Sequence, residues 1–271
     1  KFKEGFDWHF VQYDAKSDFS CDESLDFIIH GAGYGDPNGI MKEPVETMLC
    51  NFYGTYNLLD FMRRKINGRL LFISSSEVYG KKTGSEPYTE NDYGYVDLLL
   101  PRSSYPCSKR AAETLCAAFC IEYGVGALIA RPGHIYGPQI TNADSRVSSD
   151  FIRKAKAGEA LELHSAGSQI RSYTYSLDCA SALLTILING ENGASYNISN
   201  KEAICSIRQF AECVAETAEV LLLCQKEESN EKKNWNAMDN SSLDSAKLEE
   251  LGWKGNFSVS DGVKSSLLFY E

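Results

Sequence analysis

The sequence predicts an α/β protein built around a parallel sheet. Strand-like and helix-like segments alternate through the first half of the chain at the spacing of β-α-β crossovers. The strand-like segments are continuously apolar, as expected of strands that are buried on both faces of a sheet. Composition agrees with this class, because 43% hydrophobic and 24% charged residues are the proportions of a globular protein.

Three strands and two long helices are predicted in the first half. An apolar strand at 26–29 runs into the turn HGAGYG, and apolar residues at helical spacing predict helices over 43–66 and 103–123. Two further apolar segments, at 69–74 and 126–131, predict the other strands. Ligands of parallel sheets bind beyond the carboxyl ends of the strands. The residues that follow these three strands are therefore the candidates for a site.

Shorter elements are predicted beyond Arg131. The expected helices and strands of this half are helices over 147–157, 177–189 and 207–218 and strands over 161–164, 173–175 and 196–198. The segment 226–242 is polar and charged, which predicts an exposed loop. The change to shorter elements is what predicts a second, smaller lobe.

Charge and hydropathy exclude two classes of partner. The chain carries 27 Lys and Arg against 37 Asp and Glu, a net charge of −10, and it has no basic stripe that would follow a nucleic-acid backbone. Its longest apolar runs are far short of the roughly 18 residues that a membrane-spanning helix needs.

The first residues, KFKEGFDWHF, have neither a starting Met nor an apolar signal core, so the sequence is expected to begin partway through a longer chain.

The cysteines indicate a reducing compartment. There are nine, an odd number, without a CxxC pair, and most lie in apolar stretches, which is typical of free buried thiols. Cys116 and Cys120 are four residues apart on a predicted helix, and we interpret them as core residues because no further Cys or His lies at metal-ligand spacing. We therefore expect a cytoplasmic protein without a metal site.

A tyrosine and a lysine at helical spacing indicate a catalytic base. Tyr105 and Lys109 are four residues apart, hence on one face of the predicted helix. The charge of Lys109 is expected to lower the pKa of the Tyr105 phenol, which is ordinarily about 10. One such pair arises readily by chance in a chain with 15 tyrosines. The pair becomes informative because the hydroxyls and carboxylate of SSSE, at 74–77, directly follow a buried strand.

Further motifs stand in a fixed order around this pair. They are DFIIHGAG, NFYGTYNL, SSSEVYG, YPCSK, RPGHIYGP, GSQIRSYTYSLD and, near the end, LDSAKLEELGW. In order and spacing they resemble the extended short-chain dehydrogenase/reductase superfamily, specifically the NAD-dependent nucleotide-sugar epimerases, dehydratases and decarboxylases. The resemblance covers nearly the whole chain.

The resemblance implies a two-part architecture. A Rossmann-like domain that binds NAD is expected over 1–135, and a lobe over 136–271 is expected to bind a nucleoside-diphosphate sugar and to return some segments to the first domain. The family's glycine-rich fingerprint belongs well upstream of Asp26, so this part of the sheet is expected to be absent and NAD to be held poorly without it. A homodimer is expected through helices 43–66 and 103–123, which carry more apolar surface than one sheet face absorbs.

Catalytic roles also follow from the resemblance. Tyr105 would take the proton of the sugar 4-hydroxyl while the hydride of C4 passes to NAD. Lys109 would tune Tyr105 and hold the nicotinamide ribose, and Ser75 would hydrogen-bond the reacting oxygen. Glu77 completes the set of candidate catalytic residues.

Binding roles are assigned by position in the same motifs. Gly31 and Ala32 would let the dinucleotide approach their backbone, and Asp14 would bind the adenine amino group. The candidate substrate-binding residues are Ser76, His134, Arg146 and Arg171. The guanidinium of Arg171 suits either the diphosphate or the sugar. His134 stands where the family usually has Asn, so it is either a phosphate contact or a core histidine.

Three residues decide which reaction is favoured. A 4,6-dehydratase needs an acid at the position of Ser76, and a 4-epimerase leaves Glu77 without a task. A 4-keto uronic acid sheds carbon dioxide readily and then needs a proton at C5, which Glu77 or Arg171 would help to deliver. The segment GYVDLLLPRSSYPCSKRAAET resembles the UDP-glucuronate decarboxylases, with Arg102 and Arg110 matching. UDP-glucuronate decarboxylation is thus favoured over 4-epimerisation, 4,6-dehydration and, more remotely, a non-catalytic nucleotide-sugar sensor.

Overall fold

A computed structural model describes residues 8–22, 25–65, 68–224 and 238–270. The strands in these ranges are β1 Phe27–His30, β2 Arg69–Ile73, β3 Gly126–Pro132, β4 His134–Tyr136, β5 Leu161–Leu163, β6 Ile170–Tyr175, β7 Ser195–Ile198, β8 Ile204–Ser206, β9 Leu222–Cys224 and β10 Asn240–Ser241. The helices are α1 Pro37–Lys42, α2 Pro44–Lys65, α3 Ser104–Tyr123, α4 Val147–Lys156, α5 Ser176–Asn189, α6 Ile207–Ala218, α7 Ala246–Glu249 and α8 Val259–Phe269. Among the described helices, none is long and apolar enough to cross a membrane.

The first sheet is parallel throughout, with strand order β1-β2-β3-β7. This confirms the predicted α/β class. Its two faces are covered by separate apolar cores. Helices α2 and α3 pack on one face, with Leu59, Phe72 and Phe119 in the core between them. On the other face α5 packs against β2 and β3, with Ile186 in the core.

Strand β1 departs from the prediction that the strands are buried on both faces. Phe27 and Ile29 are 53% and 46% exposed. Strand β1 pairs with β2 on one edge, and it is the terminal strand of the sheet within the described residues. An apolar strand sequence does not reveal which strand has an uncovered face, so the prediction was wrong for β1.

Local signals explain the elements that the sequence predicted well. Helix α6 begins at a capping box, in which Ser206 Oγ accepts from the Gln209 N–H and Gln209 Oε1 accepts from the Ser206 N–H. Helix α3 ends at Gly124, whose left-handed backbone places its N–H on the carbonyls of Phe119 and Cys120. Both helices end within one residue of the expected positions.

A second group of strands surrounds β6. Strands β4 and β10 pair with β6 in parallel and β8 pairs with it in antiparallel, while β5 and β9 form a separate parallel pair. Helices α4, α6 and α8 pack on one another beside these strands around the aromatic core residues Tyr136, Phe151, Tyr173 and Phe210.

Short elements account for most of the differences from the prediction. Strands β4, β8, β9 and β10 have two or three residues each, too few for a periodic pattern, and α1, α7 and α8 were not predicted. Strand β6 begins at Ile170, three residues earlier than expected, because its first residues pair with β8 and β10. Residues 226–237 of the predicted exposed loop lie outside the described residues. The prediction was wrong for 240–242, since β10 is there and Ser241 and Ser242 are buried.

A buried ion pair connects α3 to β3. Arg131 Nε and Nη2 donate to the two carboxylate oxygens of Glu113 at 3.0 and 2.7 Å, and Arg131 Nη1 donates to Tyr79 Oη at 3.0 Å. Ser74 Oγ donates to the same carboxylate at 2.6 Å. Arg131 and Glu113 are both buried. The network therefore fixes the ends of β2 and β3 against α3.

Breaking this pair should be far costlier than breaking an exposed one. Glu113→Gln leaves the Arg131 guanidinium buried without its counter-ion, and we expect a loss of about 3–5 kcal/mol in the free energy of unfolding. Glu249→Gln, which removes the exposed partner of Lys201, should stay close to wild type. Urea unfolding of the two variants measures the difference, and equal losses would contradict the role given to the buried pair.

Candidate active site

The predicted catalytic residues come together at the carboxyl end of β2. The 3₁₀ helix Ser76–Tyr79 follows β2 directly, and Ser75 caps it by accepting from the Glu77 N–H at 3.2 Å. The Ser75 hydroxyl is also close enough to the phenol of Tyr105, in the first turn of α3, to lower its pKa. Ser75 and Tyr105 are thus placed to contact one reacting oxygen.

The pKa of Tyr105 differs from the sequence-based expectation. Burial and the negative charge of Glu77 raise it to about 12, while the Ser75 hydroxyl and the charges of Arg102 and Arg146 lower it. Burial outweighs these favourable contacts. The low pKa expected from the charge of Lys109 is therefore not found, because burial raises the pKa and a sequence does not give the burial of a side chain.

Lys109 is held between β2 and the tyrosine. Its Nζ donates to the carbonyl of Ile73 at 2.8 Å and lies 5.9 Å from the centre of the Tyr105 ring. The two side chains therefore share one helix face, as predicted. Burial lowers the pKa of Lys109 to about 8, and the nearby Glu113 opposes this. The Lys109 ammonium thus lies between the Ile73 carbonyl, to which it is hydrogen-bonded, and the ring of Tyr105.

Glu77 forms an ion pair with Arg102, a residue that matched the decarboxylase motif but received no role from the sequence. Arg102 Nη2 donates to Glu77 Oε1 at 2.6 Å, and the two side chains are 13% and 20% exposed. Arg110 holds the turn that carries Glu77, by donating to the carbonyls of Val78, Tyr79 and Gly94. The only sequence signal for a role of Arg102 was its match to the decarboxylase motif, three residues before Tyr105.

Burial and hydrogen-bond partners differ among the candidate substrate-binding residues. Arg146 forms an ion pair with Asp144 at 2.6 Å and donates to the carbonyl of Ile135. Arg171 is buried, and its Nη1 donates to the carbonyls of Ile170 and Met238 at 2.8 and 2.9 Å. Ser76 is also buried.

His134 is neutral and incompletely hydrogen-bonded. Within the described part of the chain, its Nδ1 is buried without a hydrogen-bond partner. Burial lowers the pKa of His134 to about 3, and the charges of Arg171 and Arg146 contribute in the same direction. The ring stands 5.9 Å from that of Tyr173. The contact to phosphates and the structural role both stay predictions.

The residues beside Lys109 fit the nicotinamide-ribose end of NAD. Gly31, Ala32 and Gly33 are exposed at the end of β1, and a Cβ on Gly33 would collide with Asn51 Oδ1. Among the described residues, that oxygen is buried without a partner. The exposed backbone of residues 31–33 lies beside the Asn51 oxygen and the Lys109 ammonium. This combination of an open backbone, an acceptor and a cation is suited to the ribose and the amide of the nicotinamide end of NAD. Asn51 belongs to the motif NFYGTYNL, but sequence reasoning gave it no role.

Asp14 lies in an exposed turn that is anchored to α2. Its Oδ1 accepts from the Lys16 N–H at 3.0 Å, and Asn57 Nδ2 donates to the carbonyls of Ala15 and Ser17 at 3.1 and 2.7 Å. The turn therefore has a fixed position at the end of the site. The adenine contact predicted for Asp14 stays a prediction.

The chain belongs to the NAD dependent epimerase/dehydratase family, whose profile matches residues 5–199. The family inferred from the motifs is thereby confirmed, together with its dependence on NAD.

Similar proteins carry related names. UDP-glucuronic acid decarboxylase 1 of Danio rerio is 31% identical over 250 residues, covering 91% of this chain and 57% of the relative. UDP-glucuronic acid decarboxylase 6 of Arabidopsis thaliana is 36% identical over 192 residues, covering 71% of this chain and 55% of the relative. The structure of RMD from Pseudomonas aeruginosa complexed with NADPH has a TM-score of 0.82 at 29% identity, covering 96% of this chain and 88% of that one. The chain thus spans little more than half the length of these two decarboxylases.

The environment of His134 predicts an acid-sensitive stability. Its folded pKa of about 3 lies below the ordinary 6.5, so below pH 6.5 the unfolded chain binds a proton that the folded protein does not. The free energy of unfolding therefore falls as the pH falls from 6.5 towards 3 and is fully regained above 6.5. In His134→Asn, this fall between pH 7.5 and 5.5 should be smaller than in wild type by about 1 kcal/mol.

Urea unfolding of wild type and His134→Asn at both pH values measures this difference. Other titrating groups are the same in the two proteins, so they cancel in the comparison. The same fall in both proteins would mean that His134 is not kept neutral by its buried position.

Proposed function

We propose that this chain is part of an NAD-dependent UDP-glucuronate decarboxylase, which oxidises C4 of the sugar transiently. The observation that carries the proposal is the Glu77 carboxylate, fixed by Arg102 at 2.6 Å beside the Ser75–Tyr105 pair. A carboxylate and an arginine at this point are superfluous for simple oxidation and return of a hydride. The relatives named UDP-glucuronic acid decarboxylase, at 31% and 36% identity, support the same choice.

The charge of the site supports an anionic substrate. The whole chain carries a net charge of −10, yet Lys109 and Arg102 each lie 5.9 Å from the centre of the Tyr105 ring. The charge of Arg146 also acts on the phenol, and the carboxylates of Glu77 and Asp144 oppose these cations. Arg171 is also near Glu77. A UDP-uronic acid carries a diphosphate and a carboxylate, so it suits this local excess of positive charge.

The first step depends on Tyr105 and Ser75. The phenolate of Tyr105 accepts the proton of the sugar 4-hydroxyl, and Ser75 holds the oxygen that becomes the ketone. Arg102 and Arg146 favour the phenolate against the effect of burial. NAD, when bound beside Lys109 and Gly33, supplies the acceptor for the hydride that leaves C4.

The second step uses the chemistry of a β-keto acid. With a ketone at C4, the bond between C5 and the C6 carboxylate breaks and carbon dioxide leaves. The electron pair of the broken bond stays with C5 and forms an enolate, whose oxygen O4 is stabilised by Ser75 and Tyr105. The enolate then takes a proton at C5. Glu77 is placed to position that proton donor, because it is held by Arg102 and also interacts with the charge of Arg171. Return of the hydride to C4 gives a UDP-pentose.

The alternative reactions use fewer of these residues. Epimerisation at C4 is the second candidate, because Ser75, Tyr105 and Lys109 suffice for it, but it leaves Glu77 without a task. Dehydration is disfavoured, since buried Ser76 stands where an acid would be needed. The complete set of Ser75, Tyr105 and Lys109 also disfavours a non-catalytic sensor.

We also propose that the enzyme is a homodimer. Helix α2 exposes an apolar stripe at helical spacing, made of Val45, Met48, Leu49, Phe52, Tyr53 and Tyr56. Ile121 and Tyr123 at the end of α3 are exposed as well. A contiguous apolar surface of this kind is typical of a subunit interface. The two-helix pairing implied by the family resemblance would cover it.

A cytoplasmic location is proposed from the thiols. All nine cysteines are free, and Cys116 and Cys179 are buried. Free thiols in this number persist in a reducing compartment.

The proposed reaction has a direct assay. UDP-glucuronate and NAD, incubated with the enzyme, should yield carbon dioxide and a UDP-pentose, which mass spectrometry detects as a loss of 44 mass units, the mass of carbon dioxide. Inertness towards UDP-glucuronate, together with interconversion of UDP-hexoses at constant mass, would overturn this proposal in favour of the epimerase. Tyr105→Phe is the control, because it should abolish turnover by removing the proton acceptor while leaving binding of the nucleotide-sugar nearly intact.

The proposed dimer is tested by sedimentation. The double substitution Met48→Glu, Phe52→Glu places two charges in the middle of the apolar stripe, and we expect it to convert a dimer to a monomer at micromolar concentration. Lys65→Glu, at the last residue of α2, serves as the control for a charge change outside the stripe. A wild-type protein that sediments only as a monomer would contradict the proposal.

A further inference from the structure

We propose that Arg102 recognises the carboxylate of the sugar and so determines the preference for a uronic acid over a neutral hexose. The inference rests on the proposed function, because it assigns a residue to the substrate named there. It gives a role to an arginine whose ion pair with Glu77 uses only part of its hydrogen-bonding capacity.

The backbone places Arg102 firmly beside the site. It lies in the 3₁₀ helix Pro101–Ser103, immediately before α3 and three residues before Tyr105. Ser103 fixes this turn, since its N–H donates to the carbonyl of Leu100 at 2.9 Å and its hydroxyl donates to the carbonyl of Asp97. The guanidinium carbon is 5.9 Å from the centre of the Tyr105 ring.

Several donors of Arg102 are unused. Its Nη2 donates to Glu77, but Nε and Nη1 are buried without a hydrogen-bond partner among the described residues. A guanidinium has five N–H donors, so Arg102 has hydrogens left for a second anion while it keeps Glu77. Buried donors without a partner are costly, and a carboxylate oxygen is the acceptor that best satisfies them.

The chemistry of the sugar identifies that anion as the C6 carboxylate. Tyr105 must contact the hydroxyl on C4, and C6 is only two bonds away from C4, through C5. The diphosphate hangs from C1, across the ring from C4. A cation next to Tyr105 is therefore within reach of the carboxylate and remote from the phosphates.

The other arginines of the site differ from Arg102 in how their donors are used. Arg146 has its Nε and Nη2 on the Asp144 carboxylate and its Nη1 on the carbonyl of Ile135. Arg171 is buried and anchored to two backbone carbonyls through Nη1. Among the described arginines of the site, Arg102 is the one with two nitrogens that are buried without a hydrogen-bond partner.

Binding of two nucleotide-sugars tests the assignment. Calorimetric titration of the full chain in the presence of NAD, with every protein carrying Tyr105→Phe so that UDP-glucuronate is bound without turnover, gives dissociation constants for UDP-glucuronate and UDP-glucose, which differ at C6. In Arg102→Gln, we expect UDP-glucuronate to bind about tenfold more weakly, as for the loss of a charged hydrogen bond, with UDP-glucose little changed. Arg102→Lys should lie between the two, because it keeps the charge and loses the planar donor array.

The ratio of the two dissociation constants separates recognition from structural damage. Arg64→Gln, at an exposed arginine of α2 that pairs with Asp60, is the control and should leave the ratio unchanged. If Arg102→Gln weakens both ligands equally, or leaves the wild-type preference for UDP-glucuronate intact, the assignment is overturned while the proposed function stands. If the protein without the Arg102 substitution shows no preference for UDP-glucuronate, the assignment also fails, and release of carbon dioxide from UDP-glucuronate decides the proposed function separately.

Discussion

The buried contact between Glu113 and Arg131 is the interaction on which the geometry of the site depends. It joins α3 to β3, and through Ser74 it also holds the end of β2. Lys109 lies one turn before Glu113 on the same helix and donates to Ile73, the last residue of β2. The carboxyl ends of two strands and the helix that carries Tyr105 are therefore fixed by one connected set of polar contacts. Such a set is retained in a core because Glu113 and Arg131 are paired with each other and every charged group in it is hydrogen-bonded.

The same network reaches the later part of the chain. Arg131 donates to Tyr79 Oη, and Tyr79 Oη donates to Asn197 Oδ1 at 2.6 Å. Asn197 Nδ2 in turn donates to the carbonyls of Tyr88 and Asp244. Tyr79 closes the short helix that carries Glu77, so the position of this carboxylate is coupled to β7 and to the segment before α7. The site is consequently built from both halves of the chain, although its chemical groups come mainly from the first.

Particular residues show how far the sequence could predict this structure. The pair Tyr105 and Lys109 was predictable because helical spacing alone puts them on one face, and β3 was predictable from an apolar run that is buried on both faces. Strands β8 and β10 were not, because two or three residues carry no periodicity and their pairing with β6 is decided by distant segments. Whether a face of β1 is exposed depends on which other segments pack on it, and the sequence of the strand does not encode this.

The electrostatics of the site were the least predictable part. Spacing showed that Lys109 is near Tyr105, but burial decides the direction in which the pKa of the phenol moves, and burial is a property of the folded chain. The sequence indicated Arg102 only as a residue that matches the decarboxylase motif. Its contact with Glu77 and its unused donors depend on how the turn at Pro101–Ser103 faces the end of β2.

Isotope tracing of the sugar tests the central claim of transient oxidation at C4 most directly. With UDP-glucuronate that carries deuterium at C4, the account predicts slower release of carbon dioxide in a single turnover than with unlabelled substrate, because the C4–H bond must break first, and a UDP-pentose that retains the deuterium at C4. Retention is expected because the hydride leaves C4 and returns to it within one turnover. Carbon dioxide released at the same rate with and without the label, or a UDP-pentose that has lost the label from C4, would contradict it.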